Sequence, residues 1–397
     1  MTTSPIIEIA DRVITATYQR FPVVFAKGSG CTLFDDSGKS YTDFIAGIAV
    51  CGLGHAHPAI AKAVAEQAAT LIHTSNLYYT IPQVELAAWL TDHSFADRVF
   101  FANSGAEANE AAIKLARKFF KDKVKPERYR IIAMEKSFHG RTMATLSATG
   151  QEKIKKGFSP ILEGFDFVPF NDMDALKAAI GPGTAAILME PIQGEGGIRV
   201  PDTDYLPAVR KLCDDACILL IFDEIQTGMG RTGQLFAHTH FQTAPDIMTL
   251  AKALGNGLPI GAMLATETTA AAFGPGAHAS TFGGTPLVTA AALAVVRIIE
   301  KEDIVNKCKK IGDYFKGQLE ALKTRHTIIL DVRGMGLLLG LRLKAAAAPI
   351  VQLCLEKGFL INGVQEKILR FAPPLIISHS EIDALVKCLD EVFAQVG

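Results

Sequence analysis

The chain contains 397 residues, of which 49% are hydrophobic and 20% are charged, a composition typical of folded globular proteins and unlike that of disordered chains. Its 40 basic and 41 acidic side chains nearly cancel, which removes the electrostatic argument for a nucleic-acid or acidic-membrane partner. No apolar run approaches the roughly 18 to 20 residues of a membrane span, and the acidic start of the chain is unlike a secretory signal. Together with seven dispersed cysteines and no CxxC pair, this predicts a cytoplasmic protein with reduced thiols.

The order of predicted elements divides the chain into three parts. Residues 1–60 form an arm with a short hairpin, in which Cys31–Phe34 and Ser40–Phe44 flank a turn at Asp35–Lys39. Residues 61–285 alternate apolar runs with amphipathic helical stretches such as Ala106–Phe120 and Thr203–Cys213. The predicted strands of this part are Arg98–Ala102, Arg130–Met134, Ala185–Met189, Ile218–Phe222, Ile247–Leu250 and Ile260–Ala265.

Because these strands are almost uninterrupted apolar runs, the pattern predicts a large α/β domain with a mostly parallel sheet and helices on both faces. Residues 286–397 are predicted to be a small α+β domain that begins with helices at about 286–300 and 304–323 and ends with a helix from Ser380. Its predicted strands are Ile328–Val332, Leu337–Leu343, Phe359–Asn362 and Leu369–Ala372.

Three local motifs are better explained by structure than by ligand binding. Gly38-Lys39-Ser40 is similar to the end of a phosphate-binding loop. However, position 33, where that motif requires a glycine, is occupied by Leu33. Gly334-Met335-Gly336 is followed by a strand, which favours a tight turn over a dinucleotide site. The two HxH pairs, at residues 55–57 and 238–240, have no matching cluster of ligands, so we predict no metal.

Two segments that follow predicted strands suit an anion and a flat ring. After Arg98–Ala102, Ser104, Gly105 and Ala106 open a helix whose free N–H groups could bind a phosphate. Helix capping by Asn103 or Ser104 explains the segment equally well. After Arg130–Met134, Phe138 could stack on a ring and Arg141 could bind a carboxylate. In isolation, a core phenylalanine and a surface arginine are the simpler reading.

Two further segments carry an acid and an amine. Asp223 and Glu224 end a strongly apolar run, where acids are costly to bury without partners, with a helix-capping acid as the alternative. Lys252 lies among small residues after Ile247–Leu250, where a desolvated amine has a lowered pKa and can attack a carbonyl. A phosphate loop, a stacking aromatic, an acid and an amine together match the requirements of pyridoxal 5'-phosphate (PLP).

The chain resembles the class III aminotransferases in seven segments that occur in the family's order: SGAEANEAAIKLAR, FHGRT, EPIQGEGG, LLIFDEIQTGMGRTG, AKALGNGLPIGA, STFGGTPL and ILRFAPPL. The resemblance extends from about residue 20 to the C-terminus. It implies the PLP fold-type-I architecture and a homodimer with shared active sites. It also implies transamination of N2-acetylornithine with 2-oxoglutarate in cytoplasmic arginine biosynthesis.

The resemblance assigns roles to individual residues. Lys252 would bind the cofactor covalently and move the proton, and Asp223 would pair with the pyridine nitrogen. The other expected cofactor contacts are Ser104, Gly105, Ala106, Phe138, Gln226 and, from the other subunit, Thr281. The expected substrate contacts are Arg141, Glu195, Ser280 and Arg370.

Several alternatives stay open at this point. Other ω-amines are possible donors, namely succinylornithine, succinyldiaminopimelate, ornithine and 4-aminobutyrate, and related aminomutases share the motifs. A catalytically silent PLP-fold protein is a further alternative, against which the intact Lys252 and Asp223 argue. The chain has Thr285 where family members often have asparagine.

Overall fold

The computed structural model of the protein describes residues 4–122, 125 and 127–396. The extreme ends of the two predicted terminal parts, residues 1–3 and 397, therefore lie outside the described residues. Within these ranges no helix is both long enough and apolar enough to cross a membrane.

Within the described residues, the N-terminal part contains three strands of a small sheet and four helical elements. Its elements are α1 (Pro5–Val13), β1 (Phe25–Ser29), β2 (Thr32–Asp35), β3 (Ser40–Asp43), the single turn α2 (Ala46–Ala49), α3 (Pro58–Thr70) and α4 (Ile81–Asp92). Strands β2 and β3 pair antiparallel, which confirms the predicted hairpin.

The turn α2 is left-handed. Its backbone φ angles are +49° at Ala46, +64° at Gly47, +67° at Ile48 and +59° at Ala49, a conformation that costs L-residues roughly 1–2 kcal/mol each. The buried Asp43 carboxylate compensates by accepting hydrogen bonds from the N–H groups of residues 45 and 46, at 2.8 and 2.9 Å. Its other oxygen lies 2.7 Å from His55 Nε2.

A seven-stranded sheet forms the centre of the molecule. The strands of this sheet and the helices between and after them are, in chain order, β4 (Arg98–Ala102), α5 (Gly105–Asp122), β5 (Arg130–Met134), α6 (Met143–Ala148), α7 (Glu152–Lys155), β6 (Phe165–Val168), α8 (Met173–Ala179), β7 (Thr184–Met189), α9 (Tyr205–Ala216), β8 (Leu219–Asp223), β9 (Ile247–Leu250), β10 (Gly261–Ala265) and α10 (Glu267–Ala270). The strand order is β4-β10-β9-β8-β7-β5-β6. Only β10 in this sheet runs against its neighbours, so the predicted mostly parallel sheet is confirmed.

Helices cover both faces of this sheet, as the continuous apolar strands predict. Side chains alternate between the faces along each strand. Ile131 and Ile221 pack into a core shared with α5, whereas Ile132 and Leu220 pack into a core shared with α9.

The C-terminal part contains four helices and a second four-stranded sheet within the described ranges. Its elements are α11 (Pro286–Lys301), α12 (Ile304–Arg325), β11 (Ile329–Met335), β12 (Leu338–Leu343), α13 (Ala348–Glu356), β13 (Phe359–Leu360), β14 (Asn362–Val364), β15 (Ile368–Phe371) and α14 (His379–Val396). The expectation of one strand over Phe359–Asn362 is wrong. Strand β13 pairs with β3 of the N-terminal sheet, while β14 joins β15, because the chain crosses between two sheets at this point.

Candidate active site

A cavity of about 450 Å³ opens where β4, β5, β8 and β9 end. Carboxyl ends of parallel strands meet at one edge of a sheet, and open α/β sheets bind their ligands there. Most of the residues singled out in the sequence line this cavity: Ser104, Gly105, Ala106, Phe138, Arg141, Glu195, Asp223, Gln226 and Lys252.

Lys252 follows β9 in a short 3₁₀ turn and has a φ of +46°, which is uncommon for a residue with a side chain. Burial, followed by the nearby charge of Arg370, lowers its pKa from 10.5 to about 8. Within the described ranges, its ammonium group forms no ion pair. About a tenth of this amine is therefore neutral, and so nucleophilic, at pH 7, far more than for a lysine of ordinary pKa.

Asp223 is the last residue of β8 and is only 3% exposed. Its Oδ2 accepts a hydrogen bond from Asn109 Nδ2 at 2.7 Å and lies 2.8 Å from His139 Nδ1. Thr249 Oγ1 in turn donates to Asn109 Oδ1 at 2.8 Å. This network fixes the carboxylate in one orientation at the cavity wall.

The start of α5 provides hydrogen-bond donors to the same cavity. The N–H groups of Gly105 and Ala106 precede the first intrahelical hydrogen bond and have no acceptor in the part of the chain that the structure describes. A Cβ at residue 105 would lie 2.7 Å from Ile225 Cδ1, so any larger residue would require the Ile225 side chain to move. The arrangement suits an anion such as a phosphate.

Phe138 and Arg141 form the wall on the β5 side. The Arg141 guanidinium lies 5.7 Å from the centre of the Phe138 ring, within the range of a cation–π contact. Phe138 is half-buried and Arg141 is exposed, so the ring lies deeper and the positive charge lies at the mouth.

Arg370, on β15 of the C-terminal sheet, lies beside the cavity and contacts two of its lining residues. It is 1% exposed and its Nη1 donates to Glu195 Oε1 and to Gln226 Oε1 at 3.2 Å. Burial alone would raise the pKa of Glu195, but the charge and hydrogen bond of Arg370 outweigh it, so this pKa lies below its ordinary value.

Glu190 is a cavity residue that the sequence analysis did not single out. Burial, followed by the charge of Asp223, raises its pKa to about 8. Its carboxyl oxygens lie 3.1 Å from the N–H of Gly194 and 3.3 Å from that of Phe138. Like Asp223 it is an acid at the end of a buried strand, so the same argument could have identified it.

Three expected site residues, Ser280, Thr281 and Arg370, do not line the cavity of this chain. Ser280 contacts it through Asn103, whose Nδ2 donates to the Ser280 hydroxyl at 3.2 Å. Thr281 is exposed and lines a separate, narrow cleft. Thr285 lies in that same cleft, and its hydroxyl donates to the carbonyl of Ile72.

Comparison with known proteins identifies the family. The profile of the family Aminotransferase class-III matches residues 13–393. The chain is a class III aminotransferase.

Individual relatives agree with this. The acetylornithine aminotransferase of Methanocaldococcus jannaschii is 54% identical over 96% of this chain and 95% of its own length. The acetylornithine aminotransferase of Caldanaerobacter subterraneus is 51% identical over 96% of this chain and 97% of its own length. Among solved structures, the ornithine aminotransferase of Toxoplasma gondii superimposes with a TM-score of 0.96 at 32% identity, covering 100% of this chain and 96% of that one. The acetylornithine aminotransferase of Elizabethkingia anophelis gives 0.88 at 34% identity, with 98% of each chain covered.

The cofactor of a class III aminotransferase is PLP, and the residues of the cavity fit it. The free N–H groups of Gly105 and Ala106 suit its phosphate, Phe138 its ring and the fixed Asp223 carboxylate its pyridine nitrogen. The amine of Lys252, with its lowered pKa, suits its aldehyde. The donor set therefore matches the phosphate, ring, pyridine nitrogen and aldehyde of PLP.

Proposed function

We propose that this aminotransferase transfers the side-chain amino group of N2-acetylornithine to 2-oxoglutarate, giving N-acetylglutamate 5-semialdehyde and glutamate in arginine biosynthesis. The observation that carries the proposal is the buried Arg370–Glu195 pair beside the cavity. The names and the high identity of the relatives support the choice of donor.

PLP, when bound, supplies an electrophilic carbon and an electron-withdrawing ring. Lys252 Nζ is the group that takes the proton from the reacting carbon and returns it. The Asp223 carboxylate, held by Asn109 and His139, would pair with the pyridine nitrogen at the buried end of the site. Phe138 holds the flat ligand from one side and excludes water from that face.

Two arginines would divide the recognition of carboxylates. Arg141, at the mouth, would bind the carboxylate far from the reacting carbon in both substrates. Arg370 would bind the α-carboxylate of glutamate, which lies next to the reacting carbon. When acetylornithine is bound there is no carboxylate at that position, and Glu195 neutralises Arg370 instead.

We further propose that the protein acts in the cytoplasm as a homodimer whose subunits share residues. Thr281 is exposed and outside this chain's own cavity, as expected of a residue that contacts the cofactor phosphate of the other subunit. Ser280 would contact substrate from the same segment.

A donor panel tests the substrate. We expect kcat/KM with 2-oxoglutarate to be highest for acetylornithine among acetylornithine, succinylornithine, ornithine and 4-aminobutyrate. A higher kcat/KM for ornithine or 4-aminobutyrate would reject the proposed donor, and no turnover of any donor would support the silent-protein alternative.

The two half-reactions test the roles of the arginines. Arg370→Ala should slow the glutamate half-reaction much more than the acetylornithine half-reaction, because a charge-assisted, bidentate contact is lost with only one substrate. Arg141→Ala is the matched control and should slow both. Equal slowing of both half-reactions in Arg370→Ala would reject the switch and leave Arg370 as a structural residue.

A further inference from the structure

A second, strongly basic cavity lies outside the active site. It measures about 640 Å³ and lies between the loop after β7 and the C-terminal sheet. It has no lining residue in common with the substrate cavity. Its basic side chains, which define what we call the basic cleft, are Lys136, Arg199, Arg333, Arg342, Lys344 and Lys367.

Most of these charges have no carboxylate partner. Arg333 is held by Asp331, with its Nη2 2.8 Å from Oδ2. The other five basic side chains have no carboxylate oxygen within 4.0 Å in the described parts of the chain. Glu366 is the single acid among the lining residues. In a protein with a net charge of −1, such a local excess of positive charge is not a general property of the surface.

Arg199 is partly buried close to the positive charge of Arg333. Burial, followed by the positive charge of Arg333, lowers the pKa of Arg199. Like charges brought together in a partly buried site cost free energy that a bound anion would recover. Arg333 cannot turn away easily, because it is also fixed by its hydrogen bond to the carbonyl of Gly197 at 3.2 Å.

We propose that the basic cleft binds a small anion with two or more negative charges, of the diphosphate class. The volume is that of a small-molecule site. The lining residues include no aromatic side chain, so the stacking surfaces that single-stranded nucleic acid uses are missing from the cleft. Guanidinium groups suit phosphate oxygens because they donate two parallel hydrogen bonds.

The proposed ligand would contact the loop that carries Glu195. Gly196 lines the basic cleft, and Gln365 Nε2 donates to the backbone carbonyl of Glu195 at 3.0 Å. The side chain of Glu195 itself lines the substrate cavity and contacts Arg370 beside it. The two cavities thus lie on opposite sides of one short loop.

Calorimetric titration of the PLP-loaded enzyme with inorganic pyrophosphate tests the proposal. The test variant is the triple substitution Arg342→Gln, Lys344→Gln and Lys367→Gln, which removes three exposed charges of the cleft. A charge-matched control replaces Lys62, Lys310 and Lys387, which are exposed elsewhere, by glutamine.

We expect saturable binding to the unmodified enzyme that weakens as salt is added. Binding should weaken at least roughly tenfold in the test variant and less than about twofold in the control, because each lost short-range charge contact contributes a few-fold. A nucleoside diphosphate forms a second arm: tighter binding than pyrophosphate would identify a nucleotide as the source of the diphosphate, and equal binding a simple phosphorylated metabolite.

Three results would overturn the proposal. Equal pyrophosphate binding by the test variant would assign the anion to another site, and loss of the cofactor absorption band during titration would assign it to the cofactor phosphate site. The third result is that pyrophosphate does not bind saturably, while the test variant shows a salt-dependent loss of kcat/KM for 2-oxoglutarate. The cleft would then be a surface that attracts the substrate and would not be a binding site.

Discussion

The lowered pKa of Lys252 predicts how the stability of the cofactor-free enzyme depends on pH. A fall of this pKa from 10.5 to about 8 corresponds to roughly 3 kcal/mol, since each pKa unit is worth about 1.4 kcal/mol. Well below pH 8 the lysine is charged in both the folded and the unfolded state, and the folded state is destabilised by the full cost of burying this charge. Between about pH 8 and 10.5 the unfolded chain binds more protons, so the free energy of unfolding should rise with pH.

The perturbation that isolates this effect is Lys252→Met, which keeps the length of the side chain and removes its charge. At pH 7 the cofactor-free variant should be more stable than the cofactor-free parent by roughly 3 kcal/mol. This difference should decrease steadily between pH 8 and 10.5. Urea unfolding at fixed protein concentration measures it, because concentration affects the stability of an oligomer.

A control variant, Lys62→Met, removes an exposed lysine charge and accounts for general effects of net charge. A stability difference between parent and Lys252→Met that stays constant from pH 7 to 10.5 would refute the reasoning. It would mean that the amine is solvated in the cofactor-free cavity and that burial does not prepare it for attack.

Three further predictions concern buried acids and a histidine. Asp223→Asn should fold normally but slow both half-reactions at least roughly a hundredfold, as followed by stopped-flow absorbance; unchanged rates would leave Asp223 as a capping acid. The pKa of His55 is raised to about 9 by its hydrogen bond to Asp43 and then by one to Cys51, so His55 stabilises the fold fully below pH 6.5 and loses this effect as pH rises through 9. In urea unfolding, His55→Gln should abolish this decrease in the free energy of unfolding with pH, and a decrease that persists would contradict the pairing. Glu190 has a pKa raised to about 8 by burial and then by Asp223, so stability should fall as pH rises from 4.5 to 8; Glu190→Gln should remove that part of the decrease in Tm, and parallel Tm profiles would disprove it.

Most of the central sheet could be predicted from the sequence because its inner strands are buried on both faces. Continuous apolar runs placed β4, β5 and β9 at the observed residues and β8 within one residue. Strand β6, Phe165–Val168, was missed because it is only four residues long, is mostly half-buried and contains an aspartate that interrupts its apolar run. The division between β13 and β14 was missed because it depends on β3, whose residues lie far away in sequence.

In the cavity, too, the sequence predicted local features but not contacts between distant residues. Lys252, Asp223 and the start of α5 were predicted because each follows a recognisable strand and carries unusual local chemistry. Asn109 and His139 were not singled out, although both stand in the quoted motifs. Their importance lies in hydrogen bonds to a residue 114 and 84 positions away, a distance over which local patterns carry no information. That they hold Asp223 became visible only with the fold.

The left-handed turn α2 links two parts of the molecule mechanically. Just before it, Phe44 donates its N–H to Leu360 and accepts a hydrogen bond from the N–H of Ala372; just after it, Gly52 accepts one from Leu375. The segment is therefore connected by hydrogen bonds to the chain on both sides of Arg370, while Val50, directly after the turn, lines the substrate cavity. If β15 moved while these hydrogen bonds were preserved, Val50 in the cavity wall would move with it. The width of the cavity and the position of Arg370 would therefore change together.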